Sequence, residues 1–440
     1  MPVMYTCDPT SDRPAGWRAL PRIAARDSSG PMEHTIQRLG HQGDGIAPGP
    51  VFAPRTLPGE VITGAVEKGR IDAPRIVTPS PDRVAAPCLH YNACGGCALQ
   101  HASDVFVAAW KVDVVREALR AQGIEGNVTG PDTSPPNSRR RATLSGRRTK
   151  RGALVGFHGR ASGVISEVDS CQLLDTAILK GMAAYQALVI AGASRKAEMQ
   201  LTVTNGTTGL DVVVRGGKPL DQPMRVTLSD LAAQHDLARL VWEDEMIVTR
   251  RAPVQDFGKA QVIPPPGAFL QATKAGQAAL TAAVLRAVGD ARWVVDLFAG
   301  CGTFSLPLAE RAEVHAVESE AGMLAALDRG WRGATGLKRL SVETRDLFRR
   351  PLLADELARF DAVVIDPSRA GAEAQICEIA RAQVPVIAAV SCNPVTFARD
   401  AKILVAAGYG LEWVQVVDQF RWSPHVELAA RFTRGHIPKA

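Results

Sequence analysis

Residues 294–306 read VVDLFAGCGTFSL: an apolar run, a glycine-rich turn and the opening of a helix. A short apolar run bounded in this way suits a strand buried on both faces, as in parallel sheets. Outward from it, ARWVVDLF, EVHAVE, FDAVVID and VPVIAAVS alternate with helical stretches, and two further strand-like runs close the chain. That alternation predicts a doubly wound, mostly parallel α/β sheet over residues 261–440. Ligands bind at the carboxyl ends of such strands, where glycine lets the backbone come close to them. A dinucleotide fingerprint would add a third glycine, and Gly300-Cys301-Gly302-Thr303-Phe304-Ser305 supplies none. The next strand ends in Glu318, placed to take both hydroxyls of a ribose. The pair of signals favours S-adenosylmethionine and disfavours the alternative, a nicotinamide-dependent dehydrogenase.

The rest of the chain is ordinary in bulk. Its 440 residues are 46% hydrophobic and 22% charged, as in a soluble globular protein of about three domains. No apolar run approaches the roughly 18–20 residues a bilayer span needs, so no membrane role is expected. Residues 1–33 are rich in Pro, Arg, Asp and Ser without periodicity and read as a disordered tail. They lack the apolar core of a secretory signal, which implies a cytoplasmic protein. Residues 34–80 carry short β-type runs punctuated by glycine and proline, the pattern of a small β-barrel. Residues 81–260 combine a helix over Asp104–Gln122 with strand-like runs such as LVGFH and LDVVVR, predicting a mixed, largely antiparallel central domain.

Two clusters stand out in that central domain. Arg139, Arg140, Arg141, Arg147, Arg148, Lys150 and Arg151 occur with no acid among them, in a net charge of +6. The segment reads as two strands around a basic turn, which would project guanidinium groups toward a polyanion such as RNA; a merely solvated face is the alternative. The second cluster is Cys88, Cys94 and Cys97, with Cys171 far downstream. In a reducing compartment grouped cysteines point to metal, and four thiolates can hold zinc or a [4Fe–4S] cluster. Spacing barely separates the two, although zinc ribbons more often show two C-x2-C pairs and only one is present.

Further motifs narrow the function. Ser391-Cys392-Asn393-Pro394 follows the VPVIAAV strand, Asp366-Pro367-Ser368-Arg369 follows FDAVVID, and His425-Val426-Glu427 lies near the C-terminus. Gln271 sits in FLQAT, ahead of the first helix of the sheet domain. Within a class I S-adenosylmethionine-dependent methyltransferase, this set resembles the RNA 5-methyluridine (uracil-C5) methyltransferase family. It resembles specifically the iron–sulfur branch with an N-terminal TRAM domain, over about residues 34–440. Ser368 departs from the family's usual second proline, and the TRAM-like region is short.

The resemblance implies that Cys392 adds to C6 of a uracil so that C5 can attack the sulfonium methyl, and that Glu427 then removes the C5 proton. It implies a cofactor pocket of Gln271, Phe298, Thr303, Glu318, Asp346 and Asp366, with Asp366 and Arg369 also holding the flipped uracil. It implies a [4Fe–4S] cluster on Cys88, Cys94, Cys97 and Cys171 in a structural role, with Cys301 and Cys377 structural as well. A free thiol is largely protonated at neutral pH, so the site of Cys392 should favour the thiolate. The expected substrate is 23S rRNA, since tRNA-directed relatives lack the cysteines and the TRAM domain. No obligate protein partner is implied. The rivals are a tRNA uracil-C5 methyltransferase and an RNA-binding assembly factor without turnover.

Overall fold

The computed structural model describes residues 32–435, so the expected tail falls almost wholly outside the described residues. The decisive stretch forms the strand Trp293–Leu297, third from one edge of an eight-stranded sheet. On one side of it lie the parallel strands Glu313–Glu318 and Leu340–Thr344. On the other lie the parallel strands Ala362–Ile365 and Val386–Ser391. Glu427–Arg434 and Tyr409–Asp418 follow as antiparallel closing strands. The strand order reverses at Trp293–Leu297, and that switch point is where a doubly wound sheet opens a ligand crevice.

Alternation along the strands builds a core on each face. Val295, Leu297, Val363 and Ile365 pack on one side, while Val294, Ala362, Val364 and Val390 pack on the other. The helix Pro394–Ala406 begins directly after Cys392. Asn393 caps it by accepting the Val395 N–H at 3.1 Å, and Pro394 opens the first turn. The cap therefore fixes the direction in which the Cys392 side chain leaves the sheet.

Residues 104–133, read from the sequence as central, attach to this sheet. The helix Asp104–Arg120 is N-capped by Ser103 and adds Val112, Val115 and Leu119 to the core on one face. The strand Val128–Thr133 pairs in parallel with Tyr409–Asp418 as an eighth, edge strand. Lys111 on the helix is fully buried, and its ammonium meets Asp418 at 2.5 Å and the Phe420 carbonyl at 3.1 Å. That pair ties the helix to the loop leading into Glu427.

The rest of the central segment folds as a seven-stranded sheet, antiparallel except for one parallel pairing between Gly209–Arg215 and Arg239–Trp242. Its basic hairpin is present: Arg141–Arg148 pairs antiparallel with Ala153–His158. Residues 33–78 form two three-stranded antiparallel sheets sharing a small core of Ile36, Ala47, Val51, Ala53, Ile62 and Ile71. Among the described residues no helix is long and apolar enough to cross a membrane.

Candidate active site

Every element of the pocket starts at the carboxyl edge of the parallel sheet. After Leu297 the chain turns through Phe298, Gly300 and Gly302, all at positive φ. At Gly302 a Cβ would lie 2.7 Å from Leu327, so glycine is required there by space as well as by backbone. Glu318 holds the turn in place. One carboxylate oxygen accepts the Gly300 N–H at 3.1 Å, and the other accepts the Ser319 and Glu320 N–H groups. Thr303 lies in the same turn, half-buried. After the third strand, Asp346 accepts the N–H groups of Phe348 and Arg349. The Phe348 ring then stands 5.2 Å from that of Phe298. Two aromatic faces beside strand-end carboxylates can hold a purine and its ribose.

Three acids below this rim have unusual proton affinities. Asp296 is fully buried, and one carboxylate oxygen accepts the Ser305 hydroxyl at 2.5 Å while the other has no partner. Burial, aided by Asp366, pushes its carboxyl up to about 7. Burial likewise raises Asp366 to about 7. Glu427 is 4% exposed and is pushed up to about 8 by burial and by Asp366, with a hydrogen bond from Gln419 opposing the shift.

Sheet register brings Cys392 and Glu427 together. Ser391 pairs with Leu428, so Cys392 and Glu427 follow at the mouth of two adjacent antiparallel strands. Asp366 ends the next strand over, and Asn393 donates to the Arg369 carbonyl at 3.0 Å, joining the Cys392 turn to the Asp366–Arg369 loop. The expectation of a thiolate-favouring site is not met in the ligand-free protein. Burial and the neighbouring Glu427 and Asp366 push the Cys392 thiol up to about 11, with Arg369 and a backbone hydrogen bond at Cys392 pulling the other way. A cavity of about 530 Å³ opens above Cys392, walled by Arg369, Asn393 and His425 and, from the N-terminal sheets, by Arg38, His41 and Gln42.

Gln271 is 4% exposed and joins this group through a residue the sequence did not single out. Gln419 donates to the Gln271 side-chain oxygen at 2.6 Å, accepts the Ala272 N–H at 2.7 Å, and also reaches Glu427. Beneath it lies Arg140, 2% exposed, donating to the Gln271 carbonyl and to Gln255 and Gln277. The basic segment is therefore not one surface. Arg140 braces the pocket, Arg139 is half-buried near the Phe420 ring, Arg141 reaches the Gly267 carbonyl, and Arg147 pairs with Glu198. Arg147, Lys150 and Arg151 are exposed, and the last two lie in the solvated turn. Asp296, Phe348 and Gln419 are the functional side chains sequence reasoning missed. Only Asp296 left a signal, as an acid within an otherwise apolar strand.

Cys88, Cys94, Cys97 and Cys171 line one cavity of about 540 Å³. The Gly96 N–H donates to the Cys94 sulfur and the Leu173 N–H to the Cys171 sulfur, contacts that suit thiolates. Burial pushes the thiols of Cys94, Cys97 and Cys171 up, each also repelled by other cysteines of the set. Among the described residues, no three His, Cys, Asp or Glu side chains converge at the spacing of a bound metal ion. His101 is buried, hydrogen-bonded to the Tyr91 hydroxyl, and His90 meets Asp169 and Ser170, as packing and surface residues.

Known proteins are similar to this chain. The profile of the family described as tRNA (Uracil-5-)-methyltransferase matches residues 239–434. An uncharacterized RNA methyltransferase of Rhizobium meliloti is 45% identical over 405 residues, covering 90% of this chain and 98% of that protein. The chain belongs to the RNA uracil-C5 methyltransferase family. The 23S rRNA (uracil(1939)-C(5))-methyltransferase RlmD of Shewanella amazonensis is 31% identical over 421 residues, covering 90% of this methyltransferase and 94% of that protein. Among solved structures, Pyrococcus abyssi tRNA (uracil-54, C5)-methyltransferase in complex with S-adenosyl-L-homocysteine has the same fold. It superposes with a TM-score of 0.71 at 23% identity, covering 91% of this methyltransferase and 99% of that chain.

Proposed function

We propose that this methyltransferase transfers the methyl group of S-adenosylmethionine to C5 of a uridine in 23S rRNA, through a covalent bond from Cys392 to C6. The observation that carries the reading is the register placing Cys392 beside Glu427, with Asp366 one strand away and the glycine-rich turn adjacent. The target base leaves its stack to enter the cavity above Cys392, where Arg369 lines the wall, and Asp366 follows the neighbouring strand Ala362–Ile365. The cofactor lies along Phe298, Thr303, Glu318 and Asp346, with Gln271 and Asp366 at its reactive end.

The chemistry follows from the charges. The Cys392 thiol gives its proton to solvent through the open cavity before attack, and a bound sulfonium adds the positive charge that favours the thiolate. The Cys392 sulfur bonds to C6, the C5=C6 electrons move into an enolate, and C5 takes the methyl group as S-adenosylhomocysteine leaves. Transfer turns a sulfonium into a neutral thioether. The proton affinity of the nearby Glu427 carboxylate therefore rises toward its ligand-free level at the moment a base is needed. Glu427 takes the C5 proton, the C6–S bond breaks, and the thiolate is released.

Cys88, Cys94, Cys97 and Cys171 are the residues that would hold a [4Fe–4S] cluster. Their shared cavity and the N–H groups aimed at two of the sulfurs support it. Methyl transfer consumes no electrons, so a cluster held there would serve to tie the central domain to the loop Ser423–His425, which lines the same cavity. The small N-terminal sheets act as a TRAM-like module walling the substrate cavity, and the chemistry belongs to the cytoplasm. The test is transfer of labelled methyl from S-adenosylmethionine to 23S rRNA lacking 5-methyluridine, with the product position mapped. Labelling of tRNA in place of rRNA would move the reading to a tRNA enzyme, and binding without transfer to an assembly factor.

A further inference from the structure

The parallel strands have a second edge, and it is basic. At the amino ends of Trp293–Leu297, Glu313–Glu318 and Leu340–Thr344, facing away from Cys392, two adjoining cavities of about 680 and 210 Å³ share Trp293, Glu313 and Arg339. Arg292, Arg311, Lys338, Arg339 and Arg359 surround them, all exposed. Among the described residues none of these cations is in an ion pair, unlike most arginines elsewhere on the domain.

Two acids, Asp290 and Glu313, share the lining, and a third, Asp361, is already engaged by the N–H groups of Arg292 and Trp293. Those bonds, with Val314 N–H to Arg339 carbonyl and Lys338 N–H to Ala309 carbonyl, hold the loops that carry the cations. Trp293 is 50% exposed at the centre. The Arg359 guanidinium lies over Phe360, whose ring stacks on His315 at the rim.

We propose that this face is a second docking site for the substrate RNA, gripping the phosphate backbone far from the base being methylated. Cations without protein partners around an open indole are the combination that binds phosphates and stacks a base. Arginine predominates, and its planar fork suits phosphate oxygens. A hairpin of only a few base pairs seated over Cys392 lies at the carboxyl edge of the sheet, away from this face. A large folded RNA can reach both, so the site would select long substrates over short ones. The inference rests on the RNA substrate of the proposed function and adds where that RNA is held.

The test uses the full chain with two probes: an unmodified 23S rRNA transcript and a short uridine-containing hairpin. Arg311→Glu with Arg339→Glu, and separately Trp293→Ala, should weaken binding of the transcript about tenfold or more. The slope of log affinity against log salt should become shallower by about 0.7–0.9 per lost phosphate contact. Hairpin binding should stay unchanged, and Arg311→Lys with Arg339→Lys should restore most of the transcript affinity. Equal losses on both probes, or no loss on either, would overturn the proposal. So would normal binding of naked transcript with lost binding of protein-containing ribosomal particles, which would assign the face to a protein. A wild-type chain that binds the transcript through this face yet methylates no RNA would instead overturn the proposed function and leave this inference standing.

Discussion

Arg140 donates its Nε–H to the backbone carbonyl of Gln271 at 3.0 Å, joining the first strand of the central sheet to the floor of the catalytic pocket. Its other nitrogens are taken by Gln255 and Gln277, and burial alone lowers its proton affinity. At 2% exposure, a guanidinium so enclosed presents no donor to a phosphate at the surface. It is a strut between two domains, within a segment whose composition suggests an RNA surface.

Arg140→Ala should therefore cost stability and activity while leaving the electrostatics of RNA binding alone. Unpairing the buried Gln271 carbonyl and two glutamine side chains should lower unfolding free energy by about 1–3 kcal/mol or more. The salt slope of RNA binding should match wild type. Replacing Lys150 and Arg151 should do the reverse, leaving stability within about 0.5 kcal/mol and flattening the slope. Denaturant unfolding and a salt titration of binding separate the two. A flattened slope for Arg140→Ala at full stability would make it an RNA contact after all.

The buried carboxyls give the ligand-free protein a predictable response to pH. Glu427 is held up to about 8, and Asp296 and Asp366 to about 7, whereas in an unfolded chain all would ionise near pH 4. Between those values the folded protein binds more protons than the unfolded one, so stability falls as pH rises. The thermal midpoint should decline from pH 5 to pH 8. Glu427→Gln should match wild type at pH 5 and exceed it at pH 8 by on the order of 1–4 kcal/mol. A variant that tracks wild type across the range would show that Glu427 is ionised in the folded state.

The sheet was legible because each buried strand is a short apolar run between punctuating residues, as in VVDLF and VIAAVS. Cys392 and Glu427 were singled out through motifs, and the register sets the two side by side. The edge strand Val128–Thr133 was not legible: it reads VTGPDT, and its partner Tyr409–Asp418 lies near the other end of the chain. Gln419 follows no pattern, since a lone glutamine in a loop becomes informative only when its neighbours are known. Arg140 was misread because a run of like charges gives no hint of which member points inward. The raised proton affinity of Cys392 was hidden for the same reason, as burial and facing carboxylates are tertiary facts.

The four-cysteine cavity predicts about four irons per chain and a brown colour in protein purified without oxygen. Cys88→Ser should lose the iron and loosen the central domain, lowering the thermal midpoint while the adenosyl cofactor still binds. Zinc without iron in elemental analysis of anaerobically prepared protein would assign the site to zinc.

The juxtaposition of Cys392 and Glu427 makes their losses distinguishable. Cys392→Ala should form no adduct and transfer no methyl, because C5 is never activated. Glu427→Gln keeps the hydrogen-bonding shape beside Gln419 but removes the base, so attack on C6 and methyl transfer should proceed and elimination should stall. The expected product is a protein–RNA complex that survives denaturation and carries the labelled methyl group. The base acts after transfer, so its absence traps the methylated RNA on the protein. Release of methylated RNA at the wild-type rate would mean another group takes the C5 proton, with Asp366 the nearest candidate on the facing strand end. Failure to form any adduct, with RNA and cofactor both bound, would place the role of Glu427 before the attack of Cys392.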